Sequence, residues 1–453
     1  MFLSIRLLSL CLLSSILSVS FVSAADYKFA GTAQRRHEHL TSHFSSGETK
    51  PLSWWERGYM TGDWWGIRTK LAKDGVTIGA TYVTDILGNP VGGNAHGFAF
   101  AGSLGVDMNI RFGAFSNLDW LSFYSSVVAR TGTNLSADKI LNQFTVAQVY
   151  GGQNVRANEN YFKIASPNGL FVLKAGRIDG GNDFLQSDLY YEFVNNGIDG
   201  NPVSIFVNSP AFSAYPNATW GASLRCVPRD RVVAKFGVYT AEPRVRRNRY
   251  HGFKWDFDGS DGVLLITEWG YEVNRRKTDK GCPGNYRAGV YYVTEQSGRK
   301  FSGESYESDW GYYFLLDQMI YRKPGSETGG LTPFVTLLFA PEDRNPLPFF
   351  LTAGLVYKGL FSRRPDDYTN LGCVYGRYSS RLREAQRLMQ TDRLSGSFES
   401  DPQYFESVIE CNHRFQMNKW LQVIPDIQYI IRPKGLKNRR NVLVVGVQVG
   451  AVF

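Results

Sequence analysis

The chain has 453 residues, of which 43% are hydrophobic and 14% aromatic, with 46 glycines and a formal net charge of +9. Beyond the first 25 residues no apolar run reaches the roughly 18 residues that a membrane helix needs, which excludes a helical-bundle membrane protein. The basic residues are scattered, apart from "RVRRNR" (244–249) and "KNRR" (437–440), and no nucleic-acid motif accompanies them, so nucleic acid is not an expected partner.

In chain order, "MFLSIR" carries one positive charge, "LLSLCLLSSILSVSFV" is an apolar h-region, and "VSA" supplies small residues for cleavage near Ala24. Residues 1–24 therefore read as a signal peptide, and the mature chain as exported. An exported chain without an apolar helix is soluble, or it crosses a membrane as a closed β-barrel. Residues 25–53 form a polar segment. His39 and His43 there have helical i, i+4 spacing but match no zincin motif, so no metal is expected. Residues 54–74 read as a short helical segment. Ile67, Leu71 and Ala72 form its stripe, Trp54, Trp55, Trp64 and Trp65 precede it, and Gly75 ends it. Cys226, Cys282, Cys373 and Cys411 remain in the mature chain without a CxxC spacing, so their pairing is open.

From residue 75 onward the pattern has a period of two. In "SLGVDMNIRFG" (103–113), Leu104, Val106, Met108, Ile110 and Phe112 alternate with Gly105, Asp107, Asn109, Arg111 and Gly113. Sixteen such segments are expected, at 75–87, 102–113, 120–130, 158–166, 170–178, 219–227, 231–240, 261–273, 284–294, 310–321, 331–340, 350–358, 370–380, 404–416, 420–432 and 441–453. Most have the roughly 9–11 residues of a tilted membrane strand. Odd-numbered connections are mostly long and even-numbered ones mostly short. A soluble sandwich has no reason to sort its loops by parity, whereas an outer-membrane barrel has short periplasmic turns and long outer loops.

Residues 75–453 are thus expected to form a 16-stranded antiparallel transmembrane β-barrel in the outer membrane of a Gram-negative-type envelope. The 54–74 helix sits at its periplasmic mouth. The final strand, "NVLVVGVQVGAVF", closes on the first, and Phe453 resembles the signal that the outer-membrane assembly machinery reads. The basic runs fit loops that touch outer-membrane lipid and lipopolysaccharide.

The segment "WWERGYMTGDWWGIRTKLAKDGVTIGATYVTDILGNPVGG" (54–93) resembles the start of the carbohydrate-selective porins of the OprB type. "LKAGRIDGGNDFLQSD" (173–188) is similar to that family's strand leading into its third loop. "GVLLITEWGYEVN" with "PGNYRAGVYY", and "VIECNHRFQMNKWLQVIPDIQYIIRPKG", continue the likeness to the end of the chain. Trp65 stands where the family usually has Gly. The resemblance implies a sixteen-stranded porin that lets sugars, notably glucose, diffuse passively into the periplasm. It needs no cofactor, and the expected assembly is a homo-oligomer (trimer) or a monomer. Three other readings stay open: a disulfide-cross-linked structural envelope protein, a barrel enzyme, and a porin for anionic small solutes. No nucleophile elbow or P-loop points to an enzyme.

A sixteen-stranded pore is wide, so something must narrow it. The connection 179–218 is too long for a bare loop and is expected to fold into the lumen. There Tyr190 and Tyr191 offer flat faces for sugar C–H groups, and Asp183 offers a hydrogen-bonding carboxylate. Arg177 precedes this loop and either anchors it or lines the eyelet. On the wall, Asp107, Asn109, Arg111, Arg225 and Glu268 sit opposite apolar rows, as do Asp85, Arg130, Lys235, Arg287 and Asp317. Charge on the lipid face at mid-depth costs about 2–4 kcal/mol for Arg or Lys, which turns these groups toward the lumen. Glu410 with Arg414, and Asp426 with Gln428, are expected to brace the wall.

Overall fold

The computed structural model describes residues 53–256, 262–275, 279–391 and 401–453. The expected signal peptide, the polar segment up to residue 52, and His39 and His43 lie outside the described residues. The barrel strands are β1 (Val76–Val91), β2 (Phe98–Arg111), β3 (Leu121–Gly132), β4 (Asn154–Ala165), β5 (Phe171–Ile178), β6 (Thr219–Arg229), β7 (Val232–Thr240) and β8 (Val263–Val273). They continue as β9 (Gly284–Val293), β10 (Asp309–Gln318), β11 (Gly330–Phe339), β12 (Phe349–Lys358), β13 (Tyr368–Arg377), β14 (Phe405–Gln416), β15 (Leu421–Ile431) and β16 (Val442–Val452). The two-residue stretch Tyr321–Arg322 pairs with β11, as β10 does, and prolongs β10. The 17-stranded sheet is therefore a barrel of sixteen staves.

Every neighbouring pair of staves is antiparallel, and β1 pairs with β16 from Thr81↔Val452 to Val91↔Leu443. That pairing closes the barrel and leaves no edge strand, so each backbone group within the hydrocarbon finds a partner. Alternation sets the faces. In β10, Gly311, Tyr313, Leu315 and Asp317 are buried while Trp310, Tyr312, Phe314 and Leu316 are exposed. In β2, Leu104 and Val106 are exposed and Asp107 is buried. An apolar outer face over a polar, buried inner one is inverted for a soluble protein and right for lipid.

The interior is filled by chain. Phe144, Phe184, Phe193 and Phe212, all from loops 133–153 and 179–218, belong to one buried cluster with wall residues such as Phe334 and Phe350. Glycines on the wall make room for these rings. A Cβ on Gly372 of β13 would lie 2.4 Å from Ile198 Cδ1 and 2.6 Å from Phe193 Cε1, and one on Gly376 would lie 2.5 Å from Phe144 Cζ. These two positions need glycine because a loop side chain sits where the wall side chain would be.

At the end of the barrel where β1 begins, the helical part of segment 54–74 is α1, Ile67–Lys73. Trp64 and Trp65 have φ of 50° and 56°, so a helix cannot run through them. Trp65, at the position where the resemblance expects Gly, occupies the left-handed region that glycine favours. The segment is tied down by Met60 N–H donating to Val452 O at 2.8 Å and Trp420 Nε1 donating to Trp54 O at 3.2 Å.

Candidate functional site: the lumen and its inward loops

Loop 179–218 enters the lumen at the top of β5, where charges of alternating sign hold it. Lys174 Nζ lies 2.6 Å from Asp183 Oδ1, and Ser223 Oγ donates to Asp183 Oδ2 at 2.7 Å. Lys235 donates to Asp183 O at 2.9 Å and to Glu268 Oε1 at 2.7 Å. Glu268 in turn accepts from Leu185 N at 3.2 Å, and Arg287 bridges onward to Asp317 at 3.6 Å. Strands β5 to β10 thus present a chain of ions, each cross-strand from the next, and the loop backbone is threaded through it. Burial alone pushes the Asp183 carboxyl up, but Lys174, Ser223 and Lys235 together hold it below the ordinary carboxylate value.

Farther along, the loop crosses the inner faces of β11 to β15. The Tyr190 hydroxyl meets that of Thr336, and its ring packs edge-on to Phe334 at 5.7 Å between centroids. Tyr191 Oη donates to Gln186 Oε1 at 2.9 Å, and Glu192 pairs with Arg414 at 2.9 Å. Glu410 accepts the adjacent N–H groups of Val194 and Asn195 at 2.7 and 3.0 Å. Asn195 Nδ2 donates to Gln428 Oε1 at 2.8 Å, and Gln428 Nε2 donates to Asp426 Oδ2 at 2.8 Å.

A second long loop, 133–153, joins it inside the barrel. Within 133–153, the N–H groups of Gln143 and Phe144 donate to Glu406 at 2.7 and 2.8 Å. Gln148 N donates to Val194 O at 3.0 Å, and Asn196 N to Thr145 O at 2.8 Å, so the two loops are laced together. Glu406 and Glu192 were not singled out from sequence. The signal for Glu406 was present, since it stands four residues from Glu410 on the same face of β14.

The nine residues expected to contact permeant divide in two. Arg177, Asp183, Tyr190, Tyr191 and Glu268 are engaged in holding loops, and all nine but Asn109 and Arg111 are buried. Of the two roles expected for Arg177, the geometry is that of the anchor. Its guanidinium donates to Lys254 O at 2.6 Å and Ala218 O at 2.7 Å, joining the exit of the inward loop to loop 241–262. Tyr190 turns its ring to Phe334 and is only 2% exposed, because the loop lies flat on the wall there. The other four stand on inward rows. Asp107 and Asn109 share the inner face of β2, and Arg225 lines a small cavity with Lys174, Asp183 and Lys235. Arg111 is exposed at the end of β2 next to α1 and donates to Ala72 O of α1 at 2.9 Å.

All four described cysteines are free. Cys226, Cys373 and Cys411 alternate with inward residues and so point outward. Among the described residues no group of His, Cys, Asp and Glu is arranged to hold a metal.

A closed antiparallel barrel with an apolar outer face, a polar inner one and a long loop folded inside defines an outer-membrane porin. Residues 95–453 match the profile of the carbohydrate-selective porin, OprB family, and the chain belongs to that family. It is 26% identical over 428 residues to Porin B of Pseudomonas aeruginosa, covering 87% of this chain and 91% of that one. It is 23% identical over 419 residues to the putative porin QuiX of Acinetobacter baylyi, covering 88% and 94% of the two chains. Among solved structures, OprB of Pseudomonas putida at high pH superposes with a TM-score of 0.81 at 24% identity, over 89% of this chain and 100% of that one. This chain is thus a sugar porin of the outer membrane.

Proposed function

We propose that permeating sugars touch Asp107, Asn109, Arg111 and Arg225, while Arg177, Asp183, Tyr190, Tyr191 and Glu268 act one step back by fixing the loops that narrow the path. The observation that carries this reading is the division of the lumen. The inner faces of β8 to β15 are occupied by loop contacts to Glu268, Thr336, Glu406, Glu410 and Gln428. The inward row of β2 instead carries a carboxylate, an amide and a guanidinium in alternate positions. Groups of both signs orient hydroxyls and water without trapping a net charge, and weak contacts at several sites let a solute leave as readily as it enters. Passage is passive, with no covalent step and no cofactor. Residues 1–24 direct export, Phe453 is read during assembly, and the working unit is a trimer or a monomer.

The test is ion current through the full mature chain in a planar bilayer while glucose and then maltose are titrated. Saturable current block that weakens in Asn109→Ala and Arg225→Ala, with unaltered heat-modifiable gel mobility, supports the reading. Equal block in both variants would remove these residues from the sugar path.

A further inference from the structure

At the mouth where β1 begins, a cluster of tryptophans stands apart from the inward loops. Trp420 takes the next step of the β15–β16 ladder beyond Leu421↔Ala451, with Val452 N donating to Trp420 O at 2.9 Å. Alternation with Gln422, Ile424 and Asp426 puts Trp420 on the inward row, and Val452 follows Gln448 and Gly450 on the inward row of β16. Both are buried, and Tyr59 and Met60 pack against them. The Trp54 ring lies 4.5 Å from that of Trp420 between centroids, and Trp55 stacks on Trp420 at 5.9 Å with 20° between planes. The two rings therefore sit over the inner rim of the barrel and not in the aromatic belt that faces lipid.

A purely structural clasp would bury its rings. Trp420 is 2% exposed, but Trp54 is 41% and Trp55 56% exposed, so the stack presents open indole surface at the mouth. Hydrogen bonds set the rings in place. Trp54 Nε1 donates to Met60 O at 3.1 Å, and Trp420 Nε1 donates to Trp54 O at 3.2 Å. Next in the chain, Glu56 accepts from Ser53 N and Ser53 Oγ at 3.0 and 2.7 Å, both on Oε2. Those bonds, aided by the charge of Lys419, hold the Glu56 carboxyl below its ordinary value, so it is an ionised acceptor at neutral pH. Fixed indole faces next to a carboxylate suit a pyranose, whose ring C–H groups stack on the indole while its hydroxyls donate to the carboxylate. A lipid tail has no use for the carboxylate, and a free anion is repelled by it.

We propose that Trp54, Trp55 and Glu56 form a sugar subsite at this mouth, apart from the inward row of β2, where a pyranose pauses at one end of its passage. The proposal rests on the reading that sugars are the permeants. Aldopyranoses with equatorial hydroxyls, glucose among them, present the flattest C–H face to the Trp55 ring and bind best. One stacked face and one carboxylate hold the sugar weakly, so it leaves the mouth as readily as it arrives.

The test uses the full mature barrel, folded in detergent and labelled with fluorotryptophan, whose fluorine NMR resonances are assigned with Trp54→Phe and Trp55→Phe. Glucose and maltose are titrated, with sorbitol as a polyol that has the hydroxyls but no ring. The Trp54 and Trp55 resonances are expected to move saturably with both sugars and to stay still with sorbitol. The half-saturating concentration should rise about threefold to fivefold in Glu56→Gln, the loss of one exposed hydrogen bond to a charge. Heat-modifiable gel mobility shows whether that variant is folded, and the wild-type titration alone decides the matter if it is not. Resonances that respond to sorbitol as they do to glucose, or to neither, would overturn the proposal, as would an unchanged midpoint in folded Glu56→Gln. Sugar block of the current alongside still Trp54 and Trp55 resonances would remove the mouth subsite alone and leave the lumen path standing. Resonances that move with sugar while the current is never blocked would support the subsite and count against the lumen path instead.

Discussion

The glycine socket on β13 gives a direct handle on the inward loop. In Gly372→Leu the new Cβ would meet Ile198 Cδ1 at 2.4 Å and the Phe193 ring at 2.6 and 3.1 Å. Real side chains do not tolerate such approaches, so something must move. The staves on either side are fixed by backbone pairing, Gly354↔Gly372 and Gly372↔Glu410. Phe193 and Ile198 have no room to retreat sideways, being 0% and 2% exposed, with Phe193 packed at 5.7 Å on Phe334. The cheapest relief is for loop segment 193–198 to lift off the wall. Overpacking of this kind costs about 1–3 kcal/mol. Each loop-to-wall hydrogen bond to a charged group holds about 1.5–3 kcal/mol. The clash is therefore comparable to the grip of Glu410 on Val194 and Asn195, and the loop should spend a large share of its time detached. Single-channel recording should show larger, noisier conductance and weaker block by sugar, while heat-modifiable mobility confirms a closed barrel. A folded variant with wild-type conductance and wild-type sugar block would refute the reasoning, since the socket would then not hold the loop.

Other perturbations probe the remaining contacts. Glu410→Gln keeps the shape but removes the charge that accepts two N–H groups at 2.7 and 3.0 Å, so open-channel noise should rise with little change in barrel stability. Because Lys174, Ser223 and Lys235 outweigh burial and depress Asp183, its anchor is present above the ordinary carboxylate value of about 3.9 and is lost as pH falls through the depressed value. The change in conductance linked to Asp183 should thus appear only in acid below about 4, and Asp183→Asn should lack that step. Arg225→Ala should raise the half-blocking sugar concentration by up to about tenfold, the worth of one charged hydrogen bond, measured in the same bilayer titration. With Cys226, Cys373 and Cys411 pointing at lipid, Cys411→Ser should leave gel mobility and conductance unchanged with or without reductant. A reductant-sensitive oligomer in the wild type would contradict this.

The staves and their faces were legible because a strand in lipid obeys a local rule. Asp107 and Asn109 had to turn inward, since Leu104 and Val106 face hydrocarbon and successive residues point opposite ways. Length and alternation carried the count of sixteen. The same rule is silent about what lies over a residue once it points inward. Glu268 and Tyr190 were assigned to the permeant path because their row, or their loop, faces the lumen. In the folded chain, loop 179–218 covers Glu268 and presses Tyr190 against Phe334. Loop 133–153 was visible as a long connection, but its docking on Glu406 depends on residues about 260 positions apart in the chain. Periodicity reports the face a side chain takes. Only tertiary packing decides whether that face meets water, a sugar or another part of the chain, because burial is set by contacts that no local pattern encodes.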